Sequence, residues 1–504
     1  MTADGCVTEI GYTYGFHPET APGAFALPLL LAGLAPPDLS GSFDYCELGF
    51  GQGFNLALLA AAWPRARFFG NDVNPAHVAA ARGFAQSAGL ANLSVSDKGF
   101  AEYAGEDLPA FDVIALHGVW SWVGRENRRA IATFVRRHLK PGGLVYVSYN
   151  ALPGWAPYMP LRALMKARVD RGTGPLADRI RDAVDFAQRL AAAGTGYMAA
   201  HPALPPRVAA LAGRDVAYLA HEYFNDAWTP QYVAEAAAEL AEAGLSFAAP
   251  ARPGDRLDAL AMAPEALALL AGEADPVGRE GLRDWLTNQP FRRDLFVAGP
   301  IPLDPGEARR RLEALPFAAL TPPHRLPGRG RLPQGEVALD RALCAGILAA
   351  LEQGPASASD LAGHAALAGA GAGGIADALV LLASLGHAVP AMGDGADPVR
   401  AASCRRFNAM VLERALEDDA LGELASPVTG TGHALDRLER LFLLALQRGE
   451  EPAGFAWRAL AARGQGVLRD GVALRTEAEN LEEIGDRLAS FRGVRLPVLR
   501  RLGL

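Results

Sequence analysis

Residues 43–55 read FDYCELGFGQGFN, an apolar strand that ends in an acid and continues into three glycines, Gly49, Gly51 and Gly53. Glycine lacks Cβ and tolerates positive φ, so this spacing lets the backbone turn sharply and approach a ligand. The run NLALLAAA that follows predicts a helix whose N-terminus faces that ligand. A dinucleotide fingerprint, G-x-G-x-x-G, would need glycine where Phe54 stands. The stretch therefore predicts a cofactor loop of another kind.

An acid follows the next predicted strand. The stretch ARFFGNDVNP is apolar up to Asp72, which comes about 20 residues after the glycines, the separation expected for an acid that binds ribose hydroxyls in a βαβ unit. A strand, a glycine triplet, a helix, a second strand and an acid in series favour a nucleotide-type cofactor over an isolated tight turn.

Strand and helix patterns alternate through the first 150 residues, as a doubly wound α/β sheet requires. Two further strands are predicted later, in SFAAPA after the helix that Gly244 ends, and in FRRDLFVAG at 291–299. The five early strands are predicted in FDYCELG, RFFGNDV, NLSVSDKG, FDVIALHG and GLVYVSYN.

Changes in composition predict five segments along the chain. The Pro-, Gly- and Arg-rich stretch TPPHRLPGRGRLPQG reads as a linker. The segments are a cofactor-binding core at 1–154, a helical insertion or lid at 155–215, the remainder of the fold at 216–300, a linker at 301–335 and a C-terminal part at 336–504. A separate helical domain is the alternative for the insertion.

The C-terminal part is predicted to be mainly helical and to contain a winged helix. Three helical patterns and a short ribbon, HAVPAMG, follow residue 336. The third helix, which would enter a DNA groove, carries no Lys or Arg, so protein contacts are favoured over DNA.

Composition describes a globular chain that does not bind nucleic acid. It has 504 residues, 50% hydrophobic content and a formal net charge of −8, which lacks the basic footprint that phosphate binding needs. The apolar stretch at 25–35 is too short to span a bilayer. The cysteines are far apart and form neither a disulfide framework nor a metal site, which predicts a reducing, cytoplasmic setting; they are Cys6, Cys46, Cys344 and Cys404.

The spacing G-x-G-x-G, with Glu47 two residues before it, resembles the first motif of class I S-adenosylmethionine-dependent methyltransferases. Four further blocks resemble a bacterial family whose members carry a methyltransferase regulatory domain and which includes rickettsial protein lysine methyltransferases. The blocks are HGVWSWV, VSYNALPGW, YLAHEYFND and DWLTNQPFRRDLF. The resemblance covers about residues 8–300. It implies a Rossmann-like methyltransferase fold, S-adenosylmethionine as cofactor, S-adenosylhomocysteine as product, and protein lysine as acceptor.

The resemblance also implies where the cofactor binds. The glycine loop and its acid lie at the amino-acid end, Asp72 at the ribose, Phe100 at the adenine, and His117 with Gly118 beside the transferable methyl group. The N-terminal IGYTYGF, with Tyr12 and Tyr14, is expected to close over the cofactor or to form a surface arm. The cofactor residues expected are Glu47, Gly49, Gly51, Gly53, Asp72, Phe100, His117, Gly118 and Tyr14.

Methyl transfer needs positioning and exclusion of water, and no metal. Tyr149 and Asn150 are the preferred catalytic pair because they end a strand, where ligands of open α/β sheets bind. His117 is a candidate base or orienter, and Tyr223 a lid residue. Glu222 is either an amine partner or half of an ion pair. Aromatic rings near these strand ends could stabilise a cation or simply pack in the core: Trp120, Trp122 and Trp155.

The sequence therefore predicts a methyltransferase that acts on protein lysine. Methylation of a small molecule, and a non-catalytic protein that binds S-adenosylmethionine as a sensor, are the alternatives.

Overall fold

The computed structural model describes residues 13–194, 196–393 and 397–504. Its centre is a seven-stranded sheet with strand order β3-β2-β1-β4-β5-β7-β6. The first five strands are parallel, and β7 runs antiparallel to both its neighbours. The strands are β1 (Asp44–Leu48), β2 (Arg67–Asn71), β3 (Leu93–Ser96), β4 (Phe111–Leu116), β5 (Leu139–Asn150), β6 (Ser246–Pro250) and β7 (Phe291–Val297). All seven strands predicted from the sequence are confirmed.

Helices cover the sheet in the doubly wound arrangement. The early ones are α1 (Ala26–Leu31), α2 (Phe54–Ala62), α3 (Pro75–Ala88), α4 (Phe100–Tyr103) and α5 (Arg125–His138). All nine residues of α2 are buried, which agrees with its apolar sequence, since a helix that is apolar on every side must be covered on every side. The crossovers carry every parallel strand's carboxyl end to one edge of the sheet.

Five helices follow β5 and pack around an apolar cluster of their own. They are α6 (Met159–Arg171), α7 (Leu176–Ala193), α8 (Tyr197–Ala200), α9 (Leu204–Leu211) and α10 (Val216–Tyr223). Ile180, Ala187 and Leu204 are fully buried in this cluster, which also takes in Trp155 and Phe224. The last of these helices leads the chain back to the carboxyl edge of the sheet.

The chain between α10 and β7 flanks the antiparallel end of the sheet. It contributes α11 (Val233–Ala241), α12 (Asp258–Ala261), α13 (Pro264–Gly272) and α14 (Pro276–Thr287). A buried ionic cluster joins α14 to β7, because the Arg292 guanidinium donates to Glu280, Asp284 and Asp294.

The segment predicted as a linker contains regular structure. It holds α15 (Pro305–Ala314), β8 (Pro316–Ala319), β9 (Arg329–Leu332) and the start of β10 (Gly335–Ala338), which forms a hairpin with β9. Phe317 and Leu326 are buried in a separate apolar cluster. The domain boundaries stay a prediction.

The winged helix is not confirmed. The helices α16 (Arg341–Ala350), α17 (Ala358–Leu361) and α18 (Gly371–Ser384) are present. However, β11 (Ala356–Ser357) and β12 (Ala388–Pro390) both pair with β8, which precedes those helices. The ribbon predicted at HAVPAMG thus pairs with a distant strand instead of folding back on itself as a wing.

The last hundred residues pack directly on the sheet domain. Their elements are α19 (Pro398–Arg414), α20 (Arg437–Arg448), α21 (Pro452–Ala461), α22 (Glu477–Ser490), α23 (Leu496–Arg501) and the short strand pairs β13 (Glu423–Ala425) with β14 (Gly432–Ala434) and β15 (Leu468–Arg469) with β16 (Val472–Ala473). The rings of Phe407 in α19 and Phe54 in α2 lie 5.7 Å apart. The indole of Trp63 donates to the carbonyl of Gly430 at 2.8 Å. Both parts therefore share one core.

Within the described residues, no helix combines the length and apolarity needed to cross a membrane. Cys46, Cys344 and Cys404 are buried free thiols, and Cys6 lies outside the described residues.

Candidate functional site

A cavity opens at the carboxyl edge of the sheet. It contains ≈ 1240 Å³ of empty space, with open solvent at its mouth included. Its wall includes residues that follow β1, β2, β3 and β4, together with parts of the N-terminal segment and of the chain at the end of α10. The residues expected at the cofactor that line it are Glu47, Gly49, Gly51, Gly53, Asp72, Phe100, His117 and Gly118.

The glycine loop joins β1 to α2 with three left-handed residues. Gly49, Gly51 and Gly53 have φ values of 70°, 59° and 76°, a region that disfavours residues with a Cβ. A Cβ on Gly49 would lie 2.7 Å from a methyl group of Val119, and one on Gly53 would lie 2.4 Å from the Cβ of Ala81. Both geometry and space therefore require glycine here.

Asp72 holds the loop from the neighbouring strand. Its Oδ2 accepts the backbone N–H of Gly51 at 2.9 Å. Its Oδ1 accepts the backbone N–H of Asn74 at 2.9 Å and lies 3.0 Å from Nδ1 of His77. The carboxylate is thus fixed in the cavity wall by three contacts.

Glu47 is a second carboxyl in the wall, at the end of β1. It is buried, and its Oε2 accepts the amide N–H of Asn55 at 3.0 Å. Burial raises the pKa of Glu47 to about 8, the Asn55 hydrogen bond opposes that rise, and the charge of Asp72 adds to it. A cation in the cavity would favour the ionised form of this carboxyl.

Two histidines stack beside the glycine loop. The rings of His17 and His117 lie 3.4 Å apart at 15°, and Nδ1 of His117 lies 2.9 Å from the hydroxyl of Tyr146. Burial lowers the pKa of His17 to about 4, and it lowers the pKa of His117 well below its ordinary value. Both rings are therefore neutral at pH 7.

His17 belongs to residues 13–20, which we call the N-terminal strap. The strap crosses the cavity, and its Thr13, Gly15 and His17 line it. Asn55 accepts the backbone N–H of His17 at 3.0 Å and donates to the hydroxyl of Thr20 at 3.1 Å. One buried side chain thus ties the strap to Glu47.

Glu19 ties the strap to the other end of the sheet. Its carboxylate pairs with Arg252 at 2.6 Å and with Arg293 at 3.2 Å. Charge from these two arginines lowers the pKa of Glu19 against the effect of burial. The strap therefore links the cavity to the chain around β6 and β7.

The end of α10 and the chain just after it also contribute to the wall. His221 and Glu222 at the end of α10, and Asn225 just after it, line the cavity. Trp122 also lines it, and the Arg162 guanidinium stacks 4.2 Å from the Trp228 ring while donating to the carbonyl of Asn225 at 2.7 Å. Aromatic and polar groups thus meet in this part of the wall.

The structure does not bring Tyr149 and Asn150 to the cavity. The hydroxyl of Tyr149 donates to Asp294 at 2.7 Å in the buried ionic cluster, and the backbone N–H of Asn150 donates to Ser121 at 2.8 Å. Successive strand side chains point to opposite faces, so Tyr146 reaches His117 while Tyr149 packs on the other face of the sheet.

Tyr14 and Tyr223 are also absent from the cavity wall. The ring of Tyr14 packs against Phe84 of α3 at 5.9 Å, and that of Tyr223 packs against Trp155 at 6.0 Å. Trp120 is fully buried in the core. Tyr12 lies outside the described residues.

Several residues of the wall were not predicted from the sequence, among them His17, Asn55 and His77. His17 lies in the strap segment, where only the tyrosines were expected to reach the cofactor. Asn55 could have been noticed as the one polar residue of the apolar run that forms α2. His77 carries no local signal, because a histidine inside a helix is usually unremarkable. Among the described residues, no group of three His, Cys, Asp or Glu could hold a metal ion.

Two family models match the chain. Residues 46–143 match a methyltransferase domain, and residues 215–298 match a predicted methyltransferase regulatory domain. The first covers the glycine loop through the start of β5, and the second covers α10 through β7 and the ionic cluster.

Similar proteins are found in bacteria. An uncharacterized protein of Synechocystis sp. is 39% identical over 501 residues, which is 99% of each chain. An uncharacterized protein of Rickettsia prowazekii is 27% identical over 57% of this chain and 52% of its own. The structure of PKMT2 from Rickettsia typhi in complex with AdoHcy has the same fold, with a TM-score of 0.70 at 18% identity, over 95% of this chain and 98% of that one.

Proposed function

Since this chain belongs to the family of class I methyltransferases that carry a methyltransferase regulatory domain, we propose that it methylates the side-chain amine of a protein lysine. The chain is an S-adenosylmethionine-dependent methyltransferase. We propose lysine as the acceptor because the cavity wall contains two histidines, His17 and His117, that are neutral at pH 7. We also propose that the protein works in a reducing, cytoplasmic setting.

The residues of the cavity fit the cofactor. When bound, S-adenosylmethionine supplies an electrophilic methyl group on a positively charged sulfur. Glu47 offers a buried carboxyl to the cationic amino-acid end, and Asp72 offers a fixed carboxylate to the ribose hydroxyls. The glycine loop allows close approach of the backbone between them.

The neutral histidines suit chemistry beside a cation. A protonated ring at His17 or His117 would repel both the sulfonium and an incoming ammonium group. Burial keeps the pKa of both rings low, so neither carries charge at pH 7. Their nitrogens can orient an amine by hydrogen bonding, and the stacked rings exclude water from that side.

A lysine amine must arrive without its proton. Lowering an amine pKa from about 10.4 to about 7 corresponds to roughly 4.6 kcal/mol of differential environment. The largely apolar surface formed by Val119, Trp122 and Val123 disfavours an ammonium group there. His221 and Glu222 line the same cavity, and a long side chain that ends in an amine is the acceptor that we propose for it.

A labelling experiment tests the acceptor class. We expect purified protein with methyl-labelled S-adenosylmethionine to label a large acceptor in a dialysed cell lysate. Acid hydrolysis of that acceptor should release methylated lysine. Asp72→Ala, which should lose the cofactor, is the background control for other methyltransferases in the lysate.

Other results would select the alternatives. In a parallel reaction with undialysed lysate, label that passes a small-pore filter would indicate a small-molecule acceptor. Binding of S-adenosylhomocysteine without any transfer would support a non-catalytic sensor. A role of residues 336–504 in protein contacts stays a prediction. It can be tested by cutting this part of the chain by partial proteolysis and measuring whether the protein still co-purifies with the labelled acceptor.

A further inference from the structure

The carboxylate of Asp72 has little capacity left for the ribose. An ionised carboxylate offers about four acceptor positions. Oδ1 already accepts from the backbone of Asn74 and from His77, and Oδ2 accepts from the backbone of Gly51. About one position remains, on Oδ2, whereas the ribose of the cofactor carries two hydroxyl groups.

His77 presents an acceptor in the same wall. A carboxylate only accepts hydrogen bonds, so Nδ1 of His77 carries the hydrogen that it shares with Asp72, and Nε2 of an imidazole that carries its hydrogen on Nδ1 alone is an acceptor. The residue is 7% exposed, it lines the cavity, and its Nε2 has no partner among the protein atoms. Buried polar atoms in native proteins nearly always have partners, so this nitrogen indicates a ligand group.

We propose that His77 is a second ribose-binding residue, whose Nε2 accepts one ribose hydroxyl while Asp72 accepts the other. The inference rests on the cofactor of the function described above, and it is independent of the acceptor. It assigns to His77 two tasks at once, fixing Asp72 through Nδ1 and binding the ligand through Nε2.

One other acceptor of the wall has no partner. Oδ1 of Asn71 is buried, and the amide of the same side chain donates to the carbonyl of Lys98 at 2.9 Å. That bond directs the side chain toward the loop after β3, which leads into Phe100 and the adenine end. Asn71 is therefore suited to the adenine amino group, and His77 to the ribose.

Calorimetric titration with S-adenosylhomocysteine tests the proposal. Loss of one hydrogen bond should weaken binding about 3- to 10-fold in His77→Ala. His77→Asn keeps an amide that can donate to Asp72 but lacks the nitrogen facing the ligand, and it should weaken binding as much. Wild-type affinity in His77→Asn would reduce the residue to a support for Asp72 and overturn the proposal.

Ligands that lack one hydroxyl identify the contact itself. Wild-type protein should bind 2′-deoxy and 3′-deoxy S-adenosylhomocysteine more weakly than the parent. In His77→Ala one of the two should lose no further affinity, whereas Asn71→Ala should show no such coupling. Equal losses in wild type and His77→Ala would contradict the proposal.

A buried histidine away from the cavity provides the control. His138 lies in α5 with its Nε2 near the carbonyl of Ala104, and His138→Asn should leave the affinity unchanged. If the wild-type protein does not bind S-adenosylhomocysteine at all, the cofactor assignment is wrong. This result is distinct from the failure of the His77 proposal, in which the wild-type protein binds and the His77 variants bind equally well.

Discussion

At the scale of single residues, we propose that two carboxyls with different surroundings bind different parts of the cofactor. Asp72 accepts three hydrogen bonds from donors of the protein, whereas Glu47 is buried with one amide donor, that of Asn55. The first is therefore a fixed carboxylate, and the second gains or loses a proton with the charge of its surroundings. Glu47 thus couples binding of a cation to release of a proton.

That coupling predicts a pH dependence of binding. With a pKa of about 8 in the free protein, Glu47 is mostly protonated at pH 6 to 7 and must ionise to pair with the cationic amino group. Affinity for S-adenosylhomocysteine should rise up to about tenfold per pH unit toward pH 8 and level off above it. Calorimetry in buffers of different ionisation enthalpy should detect release of about one proton at pH 6.5.

Removal of the titrating group provides the control for this dependence. Glu47→Gln should bind more weakly than wild type at pH 8, and its affinity should vary little between pH 6 and 8. A flat profile in the wild-type protein would contradict the role given to Glu47.

At the scale of elements, the N-terminal strap contributes Thr13, Gly15 and His17 to the cavity wall. It is held to α2 by Asn55 and to the far end of the sheet by Glu19. The strap carries His17 onto His117, so the position of a histidine near the reacting end depends on a segment that contributes no strand to the sheet. The same ties connect the cavity to residues 215–298, which match the regulatory domain.

Loss of the central tie should open the strap. Asn55→Ala leaves the backbone N–H of His17 and the hydroxyl of Thr20 without that partner, which should cost about 1–3 kcal/mol of unfolding free energy. Hydrogen exchange should then be faster at residues 13–20, and binding of S-adenosylhomocysteine should be weaker.

A milder variant separates the two bonds that Asn55 makes with the strap. Thr20→Val removes the hydroxyl, which also donates to the carbonyl of His17 at 2.7 Å, and it keeps the Asn55 oxygen that accepts the amide of His17, so that amide should stay protected. If exchange at His17 is the same in Asn55→Ala as in wild type, Asn55 does not hold the strap.

At the scale of the whole molecule, the C-terminal helices complete the methyltransferase core. Helix α2 follows the glycine loop, and α19 covers the face of α2 that the sheet does not. Phe407 is fully buried in this contact. The loop that approaches the cofactor is therefore supported by residues that come more than 340 positions later in the chain.

Weakening that contact should unfold both parts together. Phe407→Ala should reduce the unfolding free energy by about 3–5 kcal/mol. Fluorescence and S-adenosylhomocysteine binding should report one shared transition at a lower denaturant concentration. Val399→Ala is the matched control, because Val399 begins the same helix with 52% of its surface exposed and should change stability by less than about 0.5 kcal/mol. Two separate transitions, with binding retained after the first, would show that the parts fold independently.

Local patterns in the sequence determined the sheet and the cofactor loop. Strand periodicity identified all seven strands, and the glycine spacing with Asp72 indicated the cavity edge, because each of these signals is carried by a short stretch of the chain. Gly49, Gly53, His117 and Phe100 all line the cavity as expected, since parallel strands bring their carboxyl ends to one edge.

Only the tertiary structure decided what depends on distant pairing. Tyr149 turned away from the cavity because the pleat of β5 gives Tyr146 the face toward His117, and an error of one residue reverses the face. The strand at 388–390 paired with β8 instead of forming a wing, and His17 and His77 entered the wall through bonds to Asn55 and Asp72. Such contacts join residues far apart in the chain or on different faces of an element, and no local periodicity encodes them.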